Sequence, residues 1–182
     1  LFNTAGQPWK TQSLVSVISE EMYRNNPAGL IGNEDCGQMS AWYVWSAMGL
    51  YPVTPGSPNY EIGSPMFEEV TIHLENGKKF IIKAKDKFNQ HKYVQSAKLN
   101  QVEFNQSHIS HQTIMNGGKL VFQMSDTANK NWAAESGAAT AIQDYQITAA
   151  PYIQQASRTF YDSTLVAMQS ISPNARIYYT LN

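Results

Sequence analysis

The feature that most constrains the fold is an almost wholly apolar helical segment between Gln38 and Met48. Its sequence, QMSAWYVWSAM, has almost no polar face, and Gly49 follows it as a suitable C-terminal cap. A helix that is apolar all round has to be buried on every side. Two helices cannot enclose it, so we expect most of its surroundings to lie outside this chain. The absence of an initiator Met and the strand-like last residues favour the same interpretation, a piece of a larger protein.

A first helix is predicted ahead of this segment. Pro8 suits a first helical position, where its missing N–H costs little. From there Leu14, Ile18 and Met22 recur every four positions and give the helix one apolar face. The triplet NNP at 25–27 ends it. Residues 1–50 are therefore predicted to be helical.

The pattern changes to short β-rich runs from Tyr51 onward. The strand candidates are YEIGS, EEVTIHL, KKFIIKAK, YVQSAKLN, VEF and KLVFQM. ENGK at 75–78 is a hairpin signal of the Asn-Gly type, and NGGK at 116–119 is a second turn. We predict an α+β fold in which residues 51–132 form an antiparallel sheet or sandwich.

The last part of the chain is predicted to be separate. Residues 133–147 are mostly small and polar and are typical of a linker. Residues 148–182 contain short strand-like runs broken by Asp162-Ser163 and Ser172-Pro173-Asn174. We expect them to be the start of an appended β-sandwich that this chain does not complete.

Composition excludes some partners. The formal net charge of the 182 residues is -1, which gives no argument for nucleic acid or an anionic membrane as a partner. No apolar run reaches the ~18 residues of a membrane span. The single cysteine, Cys36, cannot form an internal disulfide, and no histidine motif accompanies it, so we do not expect a thiol nucleophile.

The most informative chemistry lies in two adjacent carboxylates, Glu34 and Asp35, in a glycine-rich loop before the apolar helix. One interpretation is helix capping, because a helix N-terminus carries unsatisfied N–H groups. The other is a carboxylate kept ionised by the positive helix end at the floor of a pocket, which suits a general base. Two neighbouring carboxylates exceed what one cap needs, but the loop alone leaves both interpretations open.

Other candidates carry weaker signals. Trp9 could stack on the apolar face of a sugar ring, and Lys10 beside it could hold an anionic or hydroxylated group, although a surface lysine is the commoner outcome. Trp45 is more typical of core packing. His108 and His111 have an H-x-x-H spacing, but their strand or loop context and the lack of other ligands nearby argue against a metal site.

Two long motifs together resemble a known family. AGQPWKTQ is followed about twenty residues later by GNEDCGQMSAWYVWSAMGLYPVTPGSPNYEIGSP. This combination closely resembles the C-terminal part of glycoside hydrolase family 92, and the resemblance extends over about residues 1–132. The family consists of calcium-dependent, exo-acting α-mannosidases that invert the anomeric centre. Its catalytic domain is an (α/α)6 barrel, so residues 1–50 would be the last helices of that barrel.

The resemblance also implies roles for individual residues. The family places its general base in the loop before the buried helix, which corresponds to Asp35. Asn33 and Glu34 would orient the water or touch the sugar. Gln38, Trp9 and Lys10 fall in motifs that line the pocket. The general acid and most calcium ligands would lie upstream of Leu1, so no metal ligand is assigned within this chain.

The same resemblance gives expectations for the whole protein. Its partners would be mannose-containing glycans, as in N-glycan degradation, and the missing N-terminal part of the chain. It would be extracytoplasmic, like secreted bacterial glycosidases that carry a chitobiase-type or fibronectin-like domain after the catalytic domain. Inversion needs two carboxyl groups, so these 182 residues alone would be inactive. The competing hypothesis is a non-catalytic β-rich module that binds carbohydrate or packs against another domain.

Overall fold

The computed structural model describes residues 1–87, 91–137, 149–154, 159 and 161–180. The chain divides into two compact units, Leu1–Ala141 and Ile142–Asn182. A mixed arrangement of sheets and few helices in the first unit confirms the coarse α+β prediction.

Both predicted helices are present in the first unit. Helix α1 spans Pro8–Glu21, with the proline in its first turn as expected, and α2 spans Gln38–Ala47. Gly49 follows α2 with φ of +86°, a left-handed conformation that glycine adopts readily at a helix end. A short third helix, α3 at His111–Met115, was missed, because its five residues carry no helical periodicity.

Within the described residues of the first unit, eight strands form two sheets. They are β1 (Leu50–Tyr51), β2 (Asn59–Ile62), β3 (Glu69–His73), β4 (Lys79–Lys85), β5 (Tyr93–Leu99), β6 (Val102–Glu103), β7 (His108–Ser110) and β8 (Gly118–Ser125). One sheet has the order β1-β2-β7, and the other has the order β3-β4-β8-β5-β6. All six strand candidates from the sequence correspond to strands.

The prediction of an antiparallel sheet is wrong for one ladder. Strands β4 and β8 pair in parallel, with Phe80 opposite Gly118 and Lys85 opposite Gln123. The chain between them contains β5, β6, β7 and α3, so β8 enters the sheet from the same end as β4. The predicted Asn-Gly hairpin between β3 and β4 is confirmed, with Gly77 at φ of +79°.

The two sheets share one hydrophobic core. Alternate residues of β4 and β8 turn inward, as a period of two requires. In β5 the buried residues Val94 and Ala97 are three apart, because a bulge shifts the register between them. This face is covered by further apolar side chains from β1, β2, β7 and α3. The core members are Leu50, Ile62, Phe80, Ile82, Ala84, Val94, Ala97, Ile109, Ile114, Leu120, Phe122, Met124, Trp132 and Ala133.

Helix α1 packs on this body through polar side chains. Gln12 is 1% exposed, and its Oε1 accepts a hydrogen bond of 3.1 Å from the backbone N–H of Val94. Val94 lies in β5 next to a shift in the ladder register. The predicted apolar face of α1 is consequently not its buried face, and Leu14 is 47% exposed.

Helix α2 is covered even less. Its buried residues are Ser46 and Ala47, at its C-terminal end, and Val44 is 56% exposed. An apolar helix left open in this way is what we expect when its neighbours lie outside the chain. The (α/α)6 barrel itself stays a prediction.

The predicted linker begins later than residue 133. Ala133 is buried in the core, and the Ser136 hydroxyl accepts a hydrogen bond of 2.8 Å from the Ser107 N–H, so residues 133–137 pack on the first unit. Residues 138–147, the rest of that linker, lie outside the described residues.

In the second unit, β9 (Tyr152–Ile153) pairs antiparallel with β10 (Met168–Gln169). A β-sandwich there stays a prediction.

Candidate active site

The loop before α2 uses the side chain of Glu34 as a helix cap. Glu34 Oε1 accepts a hydrogen bond of 3.0 Å from the N–H of Ser40, and the Glu34 carbonyl oxygen accepts one of 3.2 Å from Met39. The first N–H groups of a helix have no partner within the helix, so these two bonds stabilise its first turn. Glu34 is therefore the residue that caps the N-terminus of α2.

The next three residues form an unusual turn. Asp35, Cys36 and Gly37 have φ values of +52°, +58° and +96°, so three successive residues are left-handed. Glycine accepts this conformation and aspartate tolerates it, but a cysteine there is strained. Such strain concentrates at functional sites. The turn leaves Asp35 exposed.

The two carboxylates therefore differ in what they bind. That of Asp35 has no hydrogen-bond or ion-pair partner in the part of the chain that the structure describes, whereas that of Glu34 holds the helix. Capping, one of the two interpretations that the sequence allowed, therefore does not explain Asp35.

Tyr23 connects the end of α1 to the start of α2. Its hydroxyl donates a hydrogen bond of 3.2 Å to the carbonyl oxygen of Met39. Its ring stacks on Trp42, at a centroid distance of 5.4 Å, and on Tyr43, at 4.8 Å. Burial raises the pKa of Tyr23, and the negative charge of Glu34 raises that pKa further. The loop at residues 34–37 thus lies beside an aromatic stack.

A cleft of about 470 Å³ opens on this flank of α2. Ser40, Tyr43 and Val44 line it from α2, at positions that share one helical face. The chain between the helices supplies the other wall, and its residues there are Tyr23, Arg24, Asn25 and Leu30. This wall was not predicted from the sequence. The charged and amide side chains in YRNNP, next to a helix end, were the available signal.

The predicted site residues do not all lie together. Asn33 is in the same loop as Asp35, and Gln38 is the first residue of α2, with its N–H 3.3 Å from the Asp35 carbonyl oxygen. Both side chains are exposed.

Trp9 and Lys10 lie elsewhere, in the first turn of α1. The two helices run antiparallel. Tyr23, just after α1, contacts the start of α2, and Thr11, near the start of α1, lines a cavity together with Ser46, near the end of α2. A 14-residue helix is about 20 Å long, and this length separates Trp9 from the loop. The Lys10 and Lys130 ammonium groups lie 5.3 and 5.6 Å from the Trp9 ring centre.

The remaining candidates from the sequence are Trp45, His108 and His111. Trp45 stacks on Tyr60 at 5.0 Å and packs against the core, which confirms its predicted role. His108 lies on β7 and His111 begins α3, where its Nδ1 is 2.9 Å from the Tyr60 hydroxyl. Over the described residues, no three His, Cys, Asp or Glu side chains are grouped so as to hold a metal ion. In the same ranges, no helix has the length and apolar character needed to cross a membrane.

The known proteins to which this chain is similar include glycosidases. An uncharacterised secreted glycosidase of Arthroderma benhamiae is 32% identical over 123 residues, which are 66% of this chain and 16% of that protein.

Two solved structures from Bacteroides thetaiotaomicron also match. A family GH92 α-mannosidase in complex with mannoimidazole has a TM-score of 0.70 and 38% identity, over 73% of this chain and 18% of that one. A family GH92 inverting mannosidase has a TM-score of 0.70 and 41% identity, over 74% of this chain and 18% of that one.

The chain thus spans less than a fifth of the length of these relatives. The family model described as "Glycosyl hydrolase family 92 catalytic domain" matches residues 1–126, which include both helices, the loop with Asp35 and the whole five-stranded sheet. This chain belongs to glycosyl hydrolase family 92.

Proposed function

We propose that the protein containing this chain is an inverting exo-α-mannosidase and that the chain supplies its general base, Asp35. The observation that carries the proposal is the division of labour in the loop, where Glu34 caps α2 and a strained turn exposes the unpaired carboxylate of Asp35. The substrate class is supported by two similar structures, an α-mannosidase with bound mannoimidazole and an inverting mannosidase.

The geometry suits the task of a base. A general base takes a proton from the attacking water, so its carboxylate needs to be ionised, accessible and unengaged. Asp35 is exposed in the loop before α2, and its carboxylate has no partner among the described residues. The turn that carries Asp35 is held on one side by the Glu34 cap and on the other side by α2. The backbone of Asp35 is therefore fixed, and its carboxylate can be positioned against an attacking water.

Inversion also requires a general acid on the opposite face of the sugar. The two carboxyl groups of an inverting glycosidase are about 6.5–9.5 Å apart, which leaves room for the water. Glu34 is occupied by the helix cap and is a poor candidate for the acid. We therefore expect the acid to come from a part of the protein outside this chain, and residues 1–182 alone to have no turnover.

Calcium is implied by the family resemblance, and the loop before α2 can be compared with the ligands that such an ion needs. The oxygen donors of the loop are Asn33, Glu34 and Asp35, and one Glu34 oxygen is already bonded to the Ser40 N–H. A calcium ion takes six to eight oxygen ligands, and the described residues contain no cluster of three acidic or histidine side chains. We propose that most calcium ligands lie elsewhere in the protein.

The natural substrate is proposed to be a mannose-containing glycan, in keeping with N-glycan degradation. An extracytoplasmic location is supported by the relative from Arthroderma benhamiae, which is described as a secreted glycosidase.

The test is a pair of isosteric substitutions in the longest protein that contains this chain. Asp35→Asn keeps the shape of the side chain and removes its basicity, so kcat on an aryl α-mannoside should fall about 10²–10⁴-fold. Glu34→Gln should lower kcat less, because a glutamine oxygen still caps the helix. NMR of the first-formed product should show the inverted, β anomer of mannose. Near-full activity of Asp35→Asn, with loss in Glu34→Gln, would assign the base to the neighbouring residue instead.

A further inference from the structure

The outward face of the five-stranded sheet carries a concentration of positive charge. Four lysines from its three inner strands line one groove of about 710 Å³ on the side away from the core, and we call them the lysine face: Lys83 and Lys85 of β4, Lys98 of β5 and Lys119 of β8. The chain has 13 Lys and Arg residues and a net charge of -1. The concentration therefore does not follow from the overall composition.

The strand register brings these lysines close together. Val121 of β8 lies opposite Lys83 on one side and opposite Lys98 on the other. Lys119 and Lys85 lie two residues along their strands, in opposite directions. With neighbouring strands about 4.8 Å apart and a rise of about 3.3 Å per residue, the four Cα atoms fall within about 14 Å. A patch of this width is larger than one sulfate or phosphate ion and matches several negative groups on an extended molecule.

Two of the four lysines have ion-pair partners at the margins of the groove. Lys83 Nζ lies 3.2 Å from Glu69 Oε2 on β3, and Lys98 Nζ lies 3.1 Å from Glu103 Oε1 on β6. All four side chains in these pairs are exposed to solvent by 40% or more. Exposed pairs of this kind contribute little free energy, so a competing anion can displace the glutamates.

The other two lysines are unengaged. The ammonium groups of Lys85 and Lys119 have no hydrogen-bond or ion-pair partner within the ranges that the structure describes. Both side chains are exposed. They are therefore the groups most available to a ligand.

Protection of a sheet edge does not explain these positions. Lysines often guard edge strands, where they prevent pairing with another chain. Here β8 is the middle strand of five and β4 is its neighbour, so Lys83, Lys85 and Lys119 lie on inner strands. Lysine is depleted in strands, and neighbouring like charges repel each other. A bound polyanion would remove this repulsion.

One end of the groove offers neutral polar groups. Asn100 and Gln101 form the two-residue turn between β5 and β6, with φ of +50° and +73°. Asn100 Oδ1 accepts a hydrogen bond of 2.8 Å from the N–H of Lys119, which fixes the turn against β8. The Gln101 carboxamide lines the groove and has no partner among the described residues. A carboxamide both donates and accepts, as a sugar hydroxyl requires.

The lining of the groove also restricts the kind of ligand. Among the described residues, no aromatic side chain lines it, so neither a neutral sugar ring nor a nucleic acid base has a surface on which to stack. The chain belongs to a glycosyl hydrolase family, and one similar protein is described as a secreted glycosidase. Charge on a sugar chain is the ligand feature that fits both the lysines and the carboxamide.

We propose that the lysine face binds an acidic polysaccharide and so holds the protein on a charged glycan, with Lys85 and Lys119 as the principal contacts. This binding goes beyond the proposed function and is independent of the base assigned to Asp35. The sheet closes its own core on the other face, so the site needs no element from outside the chain.

The first test is binding of dextran sulfate and of uncharged dextran to the longest protein that contains this chain. We expect dextran sulfate to bind, dextran not to bind, and the affinity to fall as salt is added. Lys119→Gln should weaken binding about threefold and Lys85→Gln/Lys119→Gln about tenfold, since each removes an exposed charge. Lys85→Arg/Lys119→Arg keeps the charge and should stay within about twofold. Arg176→Gln, at an exposed arginine of the second unit, is the control for net charge and should also stay within about twofold.

Lysine labelling tests whether the face is open. In the free protein, Lys85 and Lys119 should react with a water-soluble acylating reagent, and dextran sulfate should protect them. If they are unreactive without ligand, another part of the protein covers the face and the proposal is wrong.

Three binding results would also overturn it. Equal affinities of wild type and Lys85→Gln/Lys119→Gln would remove the two lysines from the site, and equal binding of dextran would remove the role of charge. An equal, lysine-dependent affinity for duplex DNA or phosphatidylserine vesicles would make the face a general polyanion surface. The proposed function fails separately: Asp35→Asn should bind dextran sulfate like the wild type, and Lys85→Gln/Lys119→Gln should hydrolyse an aryl α-mannoside at the wild-type rate.

Discussion

The five-stranded sheet and the pair formed by α1 and α2 contrast sharply in how they are packed. In the sheet, Phe80 and Phe122 are completely buried by partners from the same unit. On the helices, Leu14 and Val44 are largely open to solvent, and the buried face of α1 includes Gln12, Ser16 and Ser19. The central strands of the sheet bury their apolar side chains within the described chain, while Leu14 and Val44 on the helices stay about half exposed.

The five-stranded sheet is thus self-sufficient in its packing. The helices α1 and α2 form a dependent part, because their apolar side chains lack partners of the same kind. Each sheet strand turns one set of side chains inward, and the second sheet and α3 cover them. Helix α2 has an apolar surface on nearly all sides, which one antiparallel neighbour cannot cover. An exposed apolar surface of this size favours association with another surface. The candidate base belongs to the dependent part, so we expect other elements of the protein to complete its environment.

The largest expected effect compares truncation in the two regions. Phe122→Ala should destabilise the chain by about 3–5 kcal/mol, because it leaves a cavity in a closed core. Val44→Ala should change the free energy of unfolding by less than about 0.5 kcal/mol, since the side chain is already in solvent. Urea unfolding of residues 1–182 measures both. A large loss in Val44→Ala would show that α2 is covered in solution, for example by a second copy.

Hydrogen exchange gives a second comparison without a mutation. The amides of β4 and β8, which pair in the middle of the sheet, should exchange at least about a hundredfold more slowly than those of α2. Local opening of α2 exposes little new apolar surface, so it costs less free energy than opening of the sheet. Equal protection of the two regions, measured by NMR, would mean that the helices are as well supported as the sheet.

A smaller effect distinguishes the two carboxylates. Glu34→Ala should destabilise α2 by about 1 kcal/mol through loss of its cap. Asp35→Asn, the matched control, should leave stability within about 0.5 kcal/mol, because asparagine also tolerates a left-handed conformation. Helix content and thermal unfolding of the two variants give the measurement. Equal losses would contradict the division of roles in the loop.

The smallest effect is a pH dependence at Tyr23. Its pKa is raised in the folded chain, mainly by burial and then by the charge of Glu34. The corresponding stabilisation is fully present below the ordinary tyrosine pKa near 10 and is lost as the pH rises through the raised value. Ultraviolet titration of tyrosinate, with Tyr23→Phe as control, should show one late-titrating group that the variant lacks. A profile unchanged in Tyr23→Phe would place the effect on another tyrosine.

Local pattern was sufficient for most of the elements. Alternation located the β4 and β8 strands, the Asn-Gly pair located the β3–β4 hairpin, and Gly49 located the end of α2. These signals depend on residues that are adjacent in the chain, so the sequence shows them directly. For Asp35 the local residues left capping and catalysis open, and only the family resemblance named it as the candidate base; the family match includes this position.

Only the tertiary structure decided relations between distant residues. The parallel pairing of β4 with β8 depends on the path of the intervening residues, and buried Gln12 is bonded to Val94 in β5, 82 residues away. The cap formed by Glu34 and the lack of a partner for the Asp35 carboxylate among the described residues follow from which backbone N–H groups lie within reach. The physical reason is that hydrogen bonds and close contacts form between neighbours in space, whereas periodicity and motifs report only neighbours in sequence.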